Sequence, residues 1–246
     1  MYRVLREAGL HKHREASRPR TRQPPRTHCA DAPNRVWSWD ITYLSSVVRG
    51  RFFFLYLALD VYSRKIVGWA VEETESATHA ETMLEHAFAD EEVDPKKLVL
   101  HSDNGAPMKA STLLATLRGL GILPSFSRPH VSDDNPFSEA LFRTLKYRPD
   151  YPHKPFASVD DARAWVERFV SWYNHEHLHS ALRFVAPADR HAGLDATILR
   201  HRLAVYEAAK LRTPRRWSGA VRNWSPVGPV YLNPQRAYQQ PFACAS

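Results

Sequence analysis

The run Trp37-Ser-Trp-Asp-Ile-Thr-Tyr43 constrains this chain most. Apolar and polar residues alternate in it, the period of a strand with one buried face, and an aspartate sits at its centre. Aspartate is disfavoured in strands, and a buried carboxylate is costly unless a cation or several donors compensate it. Taken alone, Asp40 reads as an edge-strand residue facing water. Two further carboxylates in equally unusual settings change that reading: Asp103 in His101-Ser-Asp-Asn-Gly105, and Glu139 in Asp134-Asn-Pro-Phe-Ser-Glu139.

The segments around these acids predict a mixed α/β sheet. Residues 36–44, 51–60 and 65–71 read as three strands on short turns, an antiparallel meander. A helix is expected over 78–89, where Ala80, Met83, Leu84, Ala87 and Phe88 share one face. A short buried strand over 97–101 ends just before Asp103. A helix over 111–119 starts with Ser111 as its cap, and 124–127 forms a fifth strand. Residues 128–134 read as a loop. Asn135 as cap and Pro136 at the first helical position start a helix that runs to about Tyr147 and carries Glu139. Further helices are expected over 159–174 and 196–210. Three antiparallel strands followed by alternating helices and strands make a sheet with helices on its faces.

Charge is distributed unevenly. The chain of 246 residues has a net charge of +8. Residues 1–30 hold eight Lys/Arg and two Glu, net +6. Residues 200–246 hold eight Lys/Arg and one Glu, net +7, which leaves 31–199 at net −5. An acidic centre between basic ends fits a polyanion gripped by the flanks, mostly through phosphates. Residues 1–10 predict a short amphipathic helix ending at Gly9, and 11–33 an Arg-, His- and Pro-rich linker. The longest apolar run, Phe52 to Leu59, is of strand length, and no secretory signal is apparent. Cys29 and Cys244, the only cysteines, give no disulfide framework and suit a cytoplasmic protein.

Three carboxylates brought together without a basic partner raise each other's pKa, and divalent cations resolve the conflict. Glu139, Arg143 and Lys146 share one helical face, which sets two cations beside the acid. Asp60 reads as a turn residue closed by an interaction with Arg64. Asn104 reads as a turn former or a DNA contact. His175, His177 and His179 alternate, which on a helix spreads them over different faces and argues against a zinc set.

The ordered motifs Trp39-Asp40-x-Thr42-Tyr43, Leu59-Asp60-x-Tyr-Ser-Arg64, His101-Ser-Asp103-Asn-Gly105 and Ser132-x-x-Asn135-x-x-x-Glu139-x-x-Phe-x-Thr-Leu-Lys146 carry a resemblance. So do Tyr173-Asn174, His179-Ser-Ala-Leu182, Trp217-Ser-Gly and Leu232-Asn-Pro234. The chain resembles an insertion-sequence transposase of the retroviral-integrase (DDE) superfamily, of the type encoded by a second reading frame. Thirty-five residues separate Asp103 from Glu139, as in that family. The resemblance implies an RNase H-like core over 34–190, a remnant of a helix-turn-helix module plus linker over 1–33, and a basic helical extension over 191–246. It assigns catalysis and metal binding to Asp40, Asp103 and Glu139, with two Mg²⁺ (or Mn²⁺) ions, Asp40 bridging both. It makes Lys146 a DNA contact, with Arg143 and Asn104 beside it.

The activity implied is metal-dependent cleavage at mobile-element ends and transfer of the 3′-hydroxyl into target DNA. The implied setting is a bacterial cytoplasm, at the nucleoid. A homo-oligomer on paired DNA ends is expected, with end recognition supplied by a helix-turn-helix partner product or a frameshift fusion. The alternatives are a truncated or domesticated DNA-binding protein and an RNase H-like nuclease.

Overall fold

The computed structural model describes residues 7, 25–128 and 134–234. The expected N-terminal helix, most of the linker and the middle of the 128–134 loop lie outside the described residues. A five-stranded sheet is built from β2 (Val36–Ser45), β3 (Phe52–Asp60), β4 (Ile66–Glu72), β5 (Val99–Ser102) and β6 (Leu123–Phe126), preceded in the chain by β1 (His28–Ala30). The sheet order is β4-β3-β2-β5-β6. The pairs β2/β3 and β3/β4 are antiparallel, whereas β2/β5 and β5/β6 are parallel. The strand that carries Asp40 is therefore the central one.

Helices cover both faces, which explains why β3 is apolar throughout rather than alternating. On one face Trp37, Trp39, Tyr56 and Ala58 pack with residues of α1 (Ala77–Asp90) and α2 (Ser111–Leu120), among them Met83, Leu84, Leu113 and Leu117. On the other, Leu55, Leu57 and Leu59 pack with Leu141 and Leu145 of α3 (Pro136–Lys146) and Val166 and Phe169 of α4 (Val159–His175). Each leucine of β3 buried in this way contributes about 1.5–3 kcal/mol. Gly68 in β4 lets α1 come close: a Cβ there would lie 2.8 Å from the Ala87 Cβ and 2.9 Å from the Met83 Sδ.

After α4 come the short α5 (Pro187–His191), which the sequence reading missed, and α6 (Asp195–Arg212), the expected basic helix. Residues 28–30, read as linker, form β1. This strand pairs antiparallel with β7 (Val230–Leu232) across about two hundred residues of sequence. Cys29 lies in β1, and the chain's other cysteine, Cys244, lies outside the described residues. Two helix starts also differ from expectation. The α2 cap is Ala110 rather than Ser111, and Asn135 caps α3 without a side-chain hydrogen bond to the helix. Among the described residues no helix is long and apolar enough to cross a membrane.

Candidate active site

Asp40 projects from β2 toward α3. Its strand neighbours on the same face, Ser38 and Thr42, both reach that helix: the Ser38 hydroxyl lies 2.7 Å from the Ser138 hydroxyl, and Lys146 Nζ donates to Thr42 Oγ1 at 2.7 Å. Glu139 follows Ser138 directly, so Asp40 and Glu139 occupy the same seam. On the other side, β5 pairs with β2 in a register that sets Ser38 opposite His101. Asp103 follows directly after β5, at the end of the strand beside β2, where its charge is felt by Asp40. A parallel strand pair and one helix thus account for the meeting of three acids far apart in sequence.

Electrostatics agree. Burial pushes the Asp40 carboxyl up to about 7, the charges of Asp103 and Glu139 add to the rise, and a hydrogen bond from the Ile41 N–H at 2.8 Å only partly opposes it. Asp103 accepts from the Gly105 N–H at 2.9 Å, which closes the turn after β5. Gly105 must be small here, since a Cβ would lie 2.7 Å from the Met108 Sδ and 3.2 Å from the Asp103 carboxylate. Asp40 senses the charges of both other acids, yet among the described residues no group of three His, Cys, Asp or Glu stands at metal-ligand spacing.

The supports of this seam are polar and buried. Ser38 donates to Asn135 Oδ1, and Asn135 Nδ2 donates to the Trp39 carbonyl at 3.3 Å. Beneath Asp103, His101 Nε2 lies 3.0 Å from the Asp134 carbonyl, which only accepts, so this nitrogen carries the proton. Nδ1 then accepts from the Ser125 hydroxyl at 3.1 Å, and Ser125 in turn accepts from His28 Nε2 at 2.7 Å. This chain needs a neutral His101, whose Nδ1 accepts. Burial drives His101 down to about 4, and burial together with Arg26 lowers His28. Arg128 and Asp134 close the two ends of the intervening loop through contacts at 2.8–2.9 Å, and Asn233, just after β7, donates to the Asp134 carbonyl at 2.8 Å. Sequence reasoning assigned none of these supports. His101 stood in a quoted motif, but its partners come from other strands.

The remaining candidates fall in several places. Asn104 donates to the Ser127 carbonyl at 2.5 Å, which bridges the turns after β5 and β6. Arg143 is exposed, with its guanidinium 5.8 Å from the Tyr147 ring centre. Asp60 is fully buried, and its carbonyl accepts from the Arg64 N–H at 2.8 Å, so the expected Asp60–Arg64 turn is present and closed through the backbone. Its carboxylate accepts from the Ser63 N–H and hydroxyl at 2.7 and 2.6 Å and from the Asn34 N–H at 2.8 Å. The Arg64 guanidinium instead donates to the Val61 carbonyl and lies 4.2 Å from the Phe137 ring centre. His175 is exposed at the end of α4, His177 stacks on Tyr173 at 5.3 Å, and His179 Nδ1 accepts from the Ala181 N–H at 3.2 Å.

Two descriptions of the integrase core domain match the chain, one over residues 30–132 and one over 120–187. A transposase for insertion sequence element IS904 from Lactococcus lactis subsp. lactis is 31% identical over 161 residues, 65% of this chain and 62% of that protein. A transposase for insertion sequence element IS629 from Shigella sonnei is 28% identical over 182 residues, 70% of this chain and 57% of that protein. The chain thus spans about three fifths of the length of the curated relatives it matches. One chain of the simian T-cell lymphotropic virus intasome in complex with PP2A regulatory subunit B56 gamma shares its fold. It does so at a TM-score of 0.55 and 20% identity, over 70% of this chain and 60% of that one. Its mixed sheet and flanking helices are those of the RNase H-like cores. The chain carries an integrase core domain over residues 30–187 and is similar to insertion-sequence transposases.

Proposed function

We propose that this protein is the catalytic component of a DNA transposase, and that it cleaves the ends of a mobile element and joins their 3′-hydroxyls to target DNA. The observation that carries this reading is the seam of three acids, in which Asp40 is pushed up to about 7 by burial and by Asp103 and Glu139. A carboxylate that resists ionisation beside two other acids, with no cation paired to it among the described residues, fits a site completed by a bound divalent ion. Asp40, Asp103 and Glu139 would hold magnesium or manganese. When bound, such ions neutralise charge and activate an oxygen nucleophile for phosphoryl transfer.

The chain's own residues supply position. The Ile41 and Gly105 N–H groups orient Asp40 and Asp103, and the Asn135–Trp39 contact fixes the start of the Glu139 helix. Lys146, held by Thr42, places a cation two turns beyond Glu139 for a DNA phosphate, with Arg143 between them. In-line transfer without a covalent enzyme intermediate depends chiefly on such alignment.

The core would occupy about 34–190, with the basic segments holding DNA beside it. Two element ends must be handled together, which favours two or more copies on paired DNA. The relatives named as transposases support the reading. Strand transfer with paired oligonucleotide ends in Mg²⁺ tests it. Joined products are expected, whereas cleavage without joining would make the protein a nuclease on the same fold.

A further inference from the structure

Away from the acids, the loop after α4 and the segment after α6 enclose a cavity of about 310 Å³ lined by Ser180, Ala181, Arg183, Phe184, Arg222 and Val227. The loop doubles back on itself, with His179 bridged to Val185. It does so by placing two consecutive non-glycine residues, Arg183 (φ 56°) and Phe184 (φ 63°), in the left-handed region. Such conformations are costly and cluster at ligand clamps. Arg202 of α6 sustains them, donating to the Arg183 carbonyl at 2.6 Å and the Phe184 carbonyl at 3.1 Å.

The cavity is short of acceptors. Among the described residues, the buried side-chain polar atoms without a hydrogen-bond partner are Arg183 Nε and Trp224 Nε1, and both belong to this corner. The Arg183 guanidinium donates elsewhere to the Asn223 carbonyl. Arg183, Arg202 and Arg222 form no ion pair with any described carboxylate, and no acidic residue lines the cavity. The aromatic component is equally specific. The Arg222 guanidinium lies 4.8 Å from the Phe184 ring centre and 5.7 Å from that of Trp224, and that of Arg202 lies 5.0 Å from Trp224. Planar cations layered on aromatic rings next to donors that lack acceptors suit a group with a phosphate at one end and a flat ring at the other.

We propose that this cavity is a second DNA site, separate from the acids, which takes one nucleotide of an unpaired strand. Its phosphate lies on Arg183 and Arg222 and its base on the Phe184–Arg222 layer. The proposal rests on the reading of the protein as a DNA enzyme. It makes the junction between the core and the basic extension a specific strand grip rather than diffuse positive charge.

The test is fluorescence anisotropy over a salt series with a short labelled single strand and its duplex. It compares wild type, Arg222→Ala and Phe184→Leu, with circular dichroism to verify folding. Arg222→Ala is expected to shallow the slope of log affinity against log salt by about one contact. Phe184→Leu, which keeps charge and approximate size, is expected to weaken the single strand about tenfold with the slope unchanged and the duplex little affected. An effect of Arg222→Ala alone would reduce the cavity to surface charge and overturn the proposal. Folded variants that bind as wild type would also overturn it while leaving the DNA reading intact. A wild type that binds neither DNA would overturn both.

Discussion

The side-chain amide of Asn135 donates to the carbonyl of Trp39 at 3.3 Å, so the residue that begins the Glu139 helix is fastened to the strand residue just before Asp40. The Ser38 hydroxyl completes the clasp from the same strand. Replacing Asn135 by Ala removes both contacts, leaving Ser38 with Ser138 alone and the Trp39 carbonyl without its side-chain donor, at a cost of about 1–3 kcal/mol. A lower urea midpoint at unchanged m is expected, together with slower cleavage. A midpoint equal to that of wild type would mean that the clasp stores no energy.

Asp40 makes stability depend on pH when no divalent ion is present. In the unfolded chain its carboxyl ionises near 3.8, whereas in the folded protein the value is about 7. The folded state therefore binds the proton more tightly, and this contribution to stability is full below 3.8 and lost as pH rises to about 7. Urea midpoints over that window should fall for wild type more steeply than for Asp40→Asn. Above pH 7, added Mg²⁺ should stabilise wild type and leave Asp40→Asn nearly unmoved. Parallel curves for the two proteins would remove the basis for a cation site.

His191 ties α5 to the turn after β3 and to the end of α1. The Ser63 hydroxyl gives its proton to Asp60 at 2.6 Å, so it accepts from His191 Nδ1 at 2.9 Å, while Nε2 donates to Glu91 at 3.0 Å. Both ring nitrogens then carry protons. Burial alone lowers the pKa of this imidazole, but the Asp60 carboxylate 3.8 Å from Nδ1 and the hydrogen bond to Glu91 outweigh it and raise the net value above 6.5. The stabilisation is full below 6.5 and is lost as pH rises through the raised folded value. Melting temperatures measured upward from pH 6.5 should fall for wild type and stay flatter for His191→Gln. Equal slopes would contradict the bridged imidazolium.

Gly68 sets how closely α1 approaches β4. Gly68→Ala places a methyl group 2.8 Å from the Ala87 Cβ, an overlap that costs about 1–3 kcal/mol unless the helix moves. Thermal melts should show the loss, and Gly68→Ala combined with Ala87→Gly should recover part of it. A neutral Gly68→Ala would mean that α1 shifts freely on the sheet.

The strands and long helices were legible because local pattern and tertiary burial agree in them. Trp37 and Trp39 alternate with Ser38 and Asp40, and Met83, Leu84 and Ala87 recur at helical spacing and are buried. The pairing of β1 with β7 was not legible, since three residues at each end carry no periodicity and meet only once the core has formed. Asn135 read as a cap because cap chemistry is local, yet its side chain is drawn to Ser38 and Trp39 on β2. Asp60 was legible as a turn residue closed with Arg64, but the partners of its carboxylate, Ser63 and the distant Asn34, were not. The three acids stood out in the sequence by their odd settings. Their supports, His101, Ser125 and His28, were not, because ordinary residues become a network only through the β5/β6 register.

The central claim is that Asp40, Asp103 and Glu139 act as one metal-dependent catalytic set. It is tested most directly by strand transfer in Mg²⁺ with wild type, Asp40→Asn, Asp103→Asn and Glu139→Gln, each verified as folded. Loss of a supporting group around a metal costs about 10–100-fold, so loss of a ligand should cost at least about a hundredfold in each variant. Retention of the wild-type rate by any one of the three would contradict the assignment.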